Sequence, residues 1–87
     1  MTSAETPGEG ALRQLIERGH PVGEVNHERV QLMLRAAKNA ATSEAQRGYM
    51  AGVLVCMIQH RERWDGDTSL ATMAAVADAL MEPERED

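Results

Sequence analysis

Residues 49–58 read Tyr-Met-Ala-Gly-Val-Leu-Val-Cys-Met-Ile, and this run contains no charged or amide side chain. It is the most apolar part of the chain, yet it is much shorter than the roughly 20 apolar residues that a membrane-spanning helix needs. The polar residues on either side of it point in all directions around a helix. Because a helix that is apolar all round is normally a buried one, the run predicts a central helix that the other elements cover.

The composition favours a helical fold. The chain has 87 residues, of which 43% are hydrophobic, so it is long enough for one domain and too apolar for wholesale disorder. It contains no Phe, one Trp and one Tyr, so Leu, Val, Ile, Met and Ala must fill the core. A core this poor in aromatic residues favours helix packing on helix over a sheet. We therefore predict a small all-α, antiparallel helical bundle.

Charge and cysteine content exclude several classes of protein. The formal net charge of −5 disfavours nucleic acid as a partner, since neutralising phosphates requires clustered Lys and Arg. A single cysteine, Cys56, excludes an internal disulfide framework. The first residues have neither the basic nor the apolar segment of a signal peptide, so a cytoplasmic protein without a membrane span is expected.

The first half of the chain predicts one short and one longer helix. After a polar, flexible tail over residues 1–9, an apolar face at helical spacing predicts a short helix from about 10 to 18. Gly19 is expected just past its end, with Pro21 beyond it. Asn26 is expected to cap a second helix over about 27–41.

The second half predicts two further helices. Ser43 and Gln46 match a capping box, so a third helix is expected over about 44–63, carrying the apolar run. A turn at residues 65–67 and a cap at Asp67 or Thr68 predict a fourth helix over 68–81. Residues 10–81 would thus form a single helical domain, followed by an acidic tail over 82–87.

Two glycines in the third helix need a reason. Gly48, Gly52 and Cys56 follow at i, i+4 and i+8, and so share one side of the helix. Each glycine inside a helix costs roughly 0.5–1 kcal/mol relative to alanine. Close approach of another helix is the usual reason, and the same chain offers small residues for it on the fourth helix (Ala71, Ala75 and Ala79) and the second (Ala37 and Ala41).

Helices three and four together have more apolar surface than so short a chain easily covers. Either the chain packs very economically through its alanines, or a second subunit supplies the cover, because large exposed apolar patches usually mark partners. We expect a homodimer or the small subunit of a complex. The residues expected at the interface are Gly48, Gly52, Cys56, Met57, Trp64, Met73, Ala75 and Ala79.

The sequence patterns that could indicate a chemical site are weak. Cys56 and His60 lie one helical turn apart, which suits two ligands of a metal or a thiol activated by a histidine, but the simpler interpretation is a packed thiol near a helix end. A zinc-protease motif that would begin at His27 fails because its second histidine is replaced by Gln31. A helix-turn-helix fails because its second helix would be the apolar one.

The leading interpretation is a non-enzymatic protein-interaction module that uses helices three and four, with no cofactor and no evident small-molecule substrate. One alternative is an acidic regulator that binds a basic surface, like an antagonist from a phage or an antitoxin; its basis is the net charge of −5. The other is a small metal or thiol site at Cys56 and His60.

Overall fold

The computed structural model describes residues 5–82, and over this range the chain folds into four helices with no strand. They are α1 (Pro7–Glu17), α2 (His27–Ala40), α3 (Glu44–Gln59) and α4 (Leu70–Met81). The prediction of a small all-α bundle is confirmed. Of the tails predicted over 1–9 and 82–87, residues 1–4 and 83–87 lie outside the described residues.

The central helix is α4, and the prediction that α3 would be the buried helix is wrong. Eight of the 12 residues of α4 are buried, against three of the 16 in α3. α4 contacts all three other helices, while α2 and α3 touch each other only slightly. The reason is side-chain size: the alanines spread around α4, which include Ala71, Ala74 and Ala77, let three helices approach its axis at once.

Helix α1 begins at Pro7, earlier than predicted, so residues 7–9 are helical. Thr6 and Glu9 form a capping box, with Pro7 at the first helical position. The carboxylate of Asp78 on α4 then binds this end, accepting from the Thr6 hydroxyl at 2.7 Å and from the Gly8 amide at 3.0 Å. A charged acceptor on two donors is a strong contact, so it fixes α1 on α4.

Helix α3 ends at Gln59 and not near residue 63. The amide of Arg61 donates to the carbonyl of Ile58 at 2.9 Å, and that of Glu62 donates to Met57 at 2.8 Å. This pair of bonds is a Schellman motif, in which Arg61 takes the left-handed position with φ 58°. Because the helix ends at this turn, Trp64 lies in the loop that leads to α4.

The connector between α1 and α2 binds to the start of α4. Ser69 caps α4, in place of the predicted Asp67 or Thr68, and its hydroxyl also donates to the carbonyl of Glu24 at 2.7 Å. The buried hydroxyl of Thr72 accepts from the amide of Asn26 at 3.0 Å, and Asn26 in turn caps α2 as predicted. These bonds tie the connector and the start of α2 to one end of the central helix.

The loop before α4 makes the stability of the fold depend on pH. Asp65 accepts from the Thr68 hydroxyl at 2.8 Å and from the Asp67 amide at 2.9 Å, and these bonds hold the pKa of Asp65 below its ordinary value of 3.8. Because the folded state favours the carboxylate, this contribution to stability is present above pH 3.8 and is lost as the pH falls through the folded pKa.

Replacing Thr68 with valine should therefore return the pKa of Asp65 towards 3.8, since the strongest donor is removed. The measurement is an NMR titration of the Asp65 side-chain carboxyl carbon in both proteins. Thr68→Ser keeps the hydroxyl and should leave the pKa low. Equal pKa values of Asp65 in wild type and Thr68→Val would show that the Thr68 hydroxyl is not the cause of the low pKa.

Candidate protein-interaction surface

The two sides of α3 differ in burial. Ala51, Leu54 and Ile58 point into the core and are at most 3% exposed. The opposite side carries small or uncharged residues, and we call it the outer face of α3. It consists of Ala45, Gly48, Tyr49, Gly52, Val55, Cys56 and Gln59, of which Val55 is half-buried and the others are exposed.

The glycines on the outer face have no neighbour within the described chain. Apart from the adjacent residues and backbone of α3 itself, a Cβ atom built on Gly48 or on Gly52 would meet no atom of residues 5–82 within 4 Å. The prediction that they pack against the alanines of α2 or α4 is therefore wrong. Both glycines therefore cost helix stability without allowing any close approach inside residues 5–82.

An apolar groove of about 300 Å³ lies between α2 and α3, with Val76 of α4 among its lining residues. It exists because α2 and α3 both lean on α4 and hardly touch each other. Trp64, from the loop after α3, also lines it and is 58% exposed. The lining residues are Met33, Ala36, Ala37, Ala40, Met50, Leu54, Trp64 and Val76, and we call this the α2–α3 groove.

The groove and the outer face form one continuous apolar surface. Val53, which is 40% exposed, lies three residues after groove-lining Met50 and four after Tyr49 on the outer face. Residues at these spacings are neighbours on a helix surface. On the α2 side, Leu32 is 56% exposed and lies one turn before groove-lining Ala36. The surface thus extends across the exposed side of both helices.

The structure divides the predicted interface residues into three groups. Gly48, Gly52 and Cys56 are exposed on the outer face, and Trp64 lines the groove. Met73 is fully buried in the core because α4 is central, so it cannot reach a partner. The remaining three are half-buried and pack on or beside the core: Met57, Ala75 and Ala79.

Sequence reasoning missed the residues that make this surface large. Tyr49 is the most exposed large hydrophobic side chain among the described residues, at 77%. Leu32 and Val53 are also exposed, and Met33 and Met50 line the groove. A finer analysis of helical phase could have found Tyr49, since it shares a side with the two glycines and lies opposite Leu54.

Cys56 and His60 are both exposed at the end of α3. Across residues 5–82, no group of three or more His, Cys, Asp or Glu side chains is arranged to hold a metal ion. Among the ion pairs of residues 5–82, exposed Arg13 pairs with Glu5 and Glu17, and half-buried Arg29 pairs with Asp67. The bond from Arg13 lowers the pKa of Glu5.

No protein-family model, curated protein or solved structure matches this chain. In the part of the chain that the structure describes, no helix is both long enough and apolar enough to cross a bilayer.

Proposed function

We propose that this chain is a non-enzymatic protein-interaction module, which self-associates or serves as the small subunit of a complex. Its binding surface is the α2–α3 groove together with the outer face of α3. Helix α4, which sequence reasoning had included, supports this surface from below and contributes only Val76, at the base of the groove. A cytoplasmic location remains a prediction from the sequence.

The observation that supports the proposal most is the exposure of large apolar side chains on one connected surface. Tyr49, Trp64 and Leu32 are 77%, 58% and 56% exposed. Burying one such side chain fully is worth about 1.5–3 kcal/mol, so covering several of them could drive association. Trp and Tyr are also the residues most enriched among those that dominate binding energy.

The groove has the character of a site for an apolar helix. Its lining contains two methionines, Met33 and Met50, whose flexible side chains adapt to a partner's shape. None of its lining residues is charged, so a partner would present an apolar helix face with little requirement for matching charge. Trp64 at the groove would then become buried on binding.

Trp64 provides the test, because it is the sole tryptophan of the chain. We expect its fluorescence emission to shift to shorter wavelength as protein concentration rises into the micromolar range, since association removes the indole from water. Leu32→Glu should suppress the shift by placing a charge beside the groove. Ile16→Glu is the matched control: Ile16 is 59% exposed, close to the 56% of Leu32, but α1 does not line the groove.

Two results would contradict self-association through this surface. One is an emission maximum that does not change with concentration while light scattering shows a single chain throughout. The other is equal suppression of the shift by Leu32→Glu and by Ile16→Glu, which would mean that any exposed aliphatic residue matters equally.

The two alternatives from the sequence have less support. The acidic-regulator hypothesis depends on a concentrated negative surface, but arginines are interleaved with the carboxylates and pair with some of them, as Arg13 does with Glu5 and Glu17. The hypothesis of a metal or thiol site at Cys56 and His60 rests on their spacing alone. Elemental analysis and thiol-reactivity assays of the purified protein would test it directly.

A further inference from the structure

We infer that the partner at this surface is a second copy of this chain, with Tyr49 of each copy inserted into the α2–α3 groove of the other. The inference rests on the proposed function and specifies its partner and its main contact. Such a pair has a two-fold axis, so one surface must supply both the projecting side chain and the recess that receives it.

The surface of this chain supplies both parts. Tyr49 projects from α3 and is 77% exposed, and the recess is the α2–α3 groove of about 300 Å³. Val53, which is 40% exposed, lies between them: at 100° per residue, Tyr49 and groove-lining Met50 fall on opposite sides of it. A two-fold axis beside Val53 therefore places Tyr49 of each copy over the groove of the other.

This pairing covers the residues on which the proposed function depends. Trp64, Met33 and Met50 line the groove, so the incoming ring would pack against an indole and two thioethers, contacts that stabilise beyond the area they bury. With Tyr49 held between α2 and α3 of the partner subunit, that α2 lies over the outer face on the side of Gly52. The open space above Gly52 admits it.

The charge distribution favours a second copy over a strongly charged partner. Neither the groove lining nor the outer face contains a charged residue, so two identical surfaces can meet without like charges in contact. Residues 27–69 carry six cationic and five anionic side chains, which include Arg47 near the start of α3 and Asp65 and Asp67 after its end. Their net charge is +1, so the remainder of the chain, at −6, accounts for the total of −5.

The surface is large enough for a stable pair, which buries about 800 Å² on each partner. A buried aromatic side chain contributes about 150–250 Å², so the exposed parts of Tyr49 and Trp64, at 77% and 58%, supply roughly 200–340 Å² together. The groove and the outer face, with Leu32 and Val53, contain 15 other residues, of which nine are exposed. About 30–40 Å² from each of them completes the area.

Two complementary variants test the contact. Tyr49→Ala removes the projecting ring, and Ala36→Phe places a ring in the groove from an exposed position on α2. A pair formed by either variant alone lacks both Tyr49 contacts. Counting roughly tenfold for each lost contact, each variant should associate roughly a hundredfold more weakly than wild type.

Mixing the two variants should restore one contact. Tyr49 of the Ala36→Phe chain meets the open groove of the Tyr49→Ala chain, so the mixture should associate roughly tenfold more tightly than either variant alone. Sedimentation over a concentration series measures all four samples, wild type included. Tyr49→Phe is the matched control, since it keeps the ring and should pair as wild type does. Circular dichroism checks that every variant is folded.

Three results would overturn the inference. One is a Tyr49→Ala or Ala36→Phe chain that pairs as tightly as wild type. Another is a mixture that pairs no more tightly than its two components while wild type does pair; self-association would then stand through a different contact. The third is a wild type that stays a single chain at every concentration, which would overturn self-association as well and leave the surface to a different protein.

Discussion

Replacing Gly8 with alanine is expected to lower the free energy of unfolding by about 1–3 kcal/mol, the usual cost of overpacking. The added Cβ would lie 2.7 Å from each carboxylate oxygen of Asp78 and 2.8 Å from the carbonyl oxygen of Ala74. The Asp78 side chain cannot simply move away, because it accepts hydrogen bonds from Thr6 and from the Gly8 amide. The methyl group would push α1 off the central helix.

Gly10 supplies a control in the same helix. A Cβ at this position would meet only the flexible side chain of Glu5, at 3.4 Å. Gly10→Ala should therefore leave stability unchanged or raise it by up to about 1 kcal/mol, through better helix propensity. Urea unfolding followed by circular dichroism measures both variants. If Gly8→Ala proved as stable as Gly10→Ala, the close contact between α1 and α4 would be wrong.

Replacing both Gly48 and Gly52 with alanine is expected to act in opposite directions on folding and on association. The folded single chain should gain about 1–2 kcal/mol, because neither Cβ meets an atom of residues 5–82 and each glycine costs about 0.5–1 kcal/mol. Association should weaken by roughly tenfold or more, because two methyl groups are added to the face that a partner would cover.

Unfolding at a concentration low enough to keep the protein monomeric measures the first effect, and sedimentation over a concentration series measures the second. Gly10→Ala is again the control, since it should stabilise its helix without changing association. A double variant that associates as well as wild type would mean that the glycines do not face a partner. A destabilised monomer would mean that the outer face is covered within the chain.

The sequence was sufficient for the fold class and for most helix boundaries. Side-chain caps at Asn26 and Ser43 predicted where α2 and α3 begin, because these residues satisfy free amides at a helix start. The start of α1 was missed although Thr6 and Glu9 form the same kind of box, since Gly8 and Gly10 weaken the helical signal around them. The end of α3 was missed because Arg61 occupies a left-handed position that usually holds glycine.

The most apolar run of the sequence did not identify the central helix. The run at 49–58 is the most apolar in the chain, but its glycines contribute almost no apolar area to bury and Tyr49 remains in water. The alanines of α4 appear less hydrophobic individually, yet they allow α1, α2 and α3 to surround one axis. Which of two apolar helices lies inside depends on how closely neighbours can approach, and this is a property of the assembled chain.

The candidate surface also depends on how the helices pack, and the sequence predicted it only in part. The spacing of Gly48, Gly52 and Cys56 predicted a face for close packing, and the structure leaves that face open. Met73 was expected beside it and is instead fully buried. The α2–α3 groove was not predicted, because it results from both helices leaning on α4.

The central claim is that the outer face of α3 is open in the single chain and is covered by a partner. The most direct measurement is the molar mass in solution, by light scattering at micromolar concentration, of wild type and of Gly52→Leu. We expect wild type to have twice the 9.5 kDa mass of the chain, and Gly52→Leu to have the single-chain mass with its helical content unchanged. Wild type at 9.5 kDa at every concentration, or a Gly52→Leu variant with twice that mass, would contradict the claim.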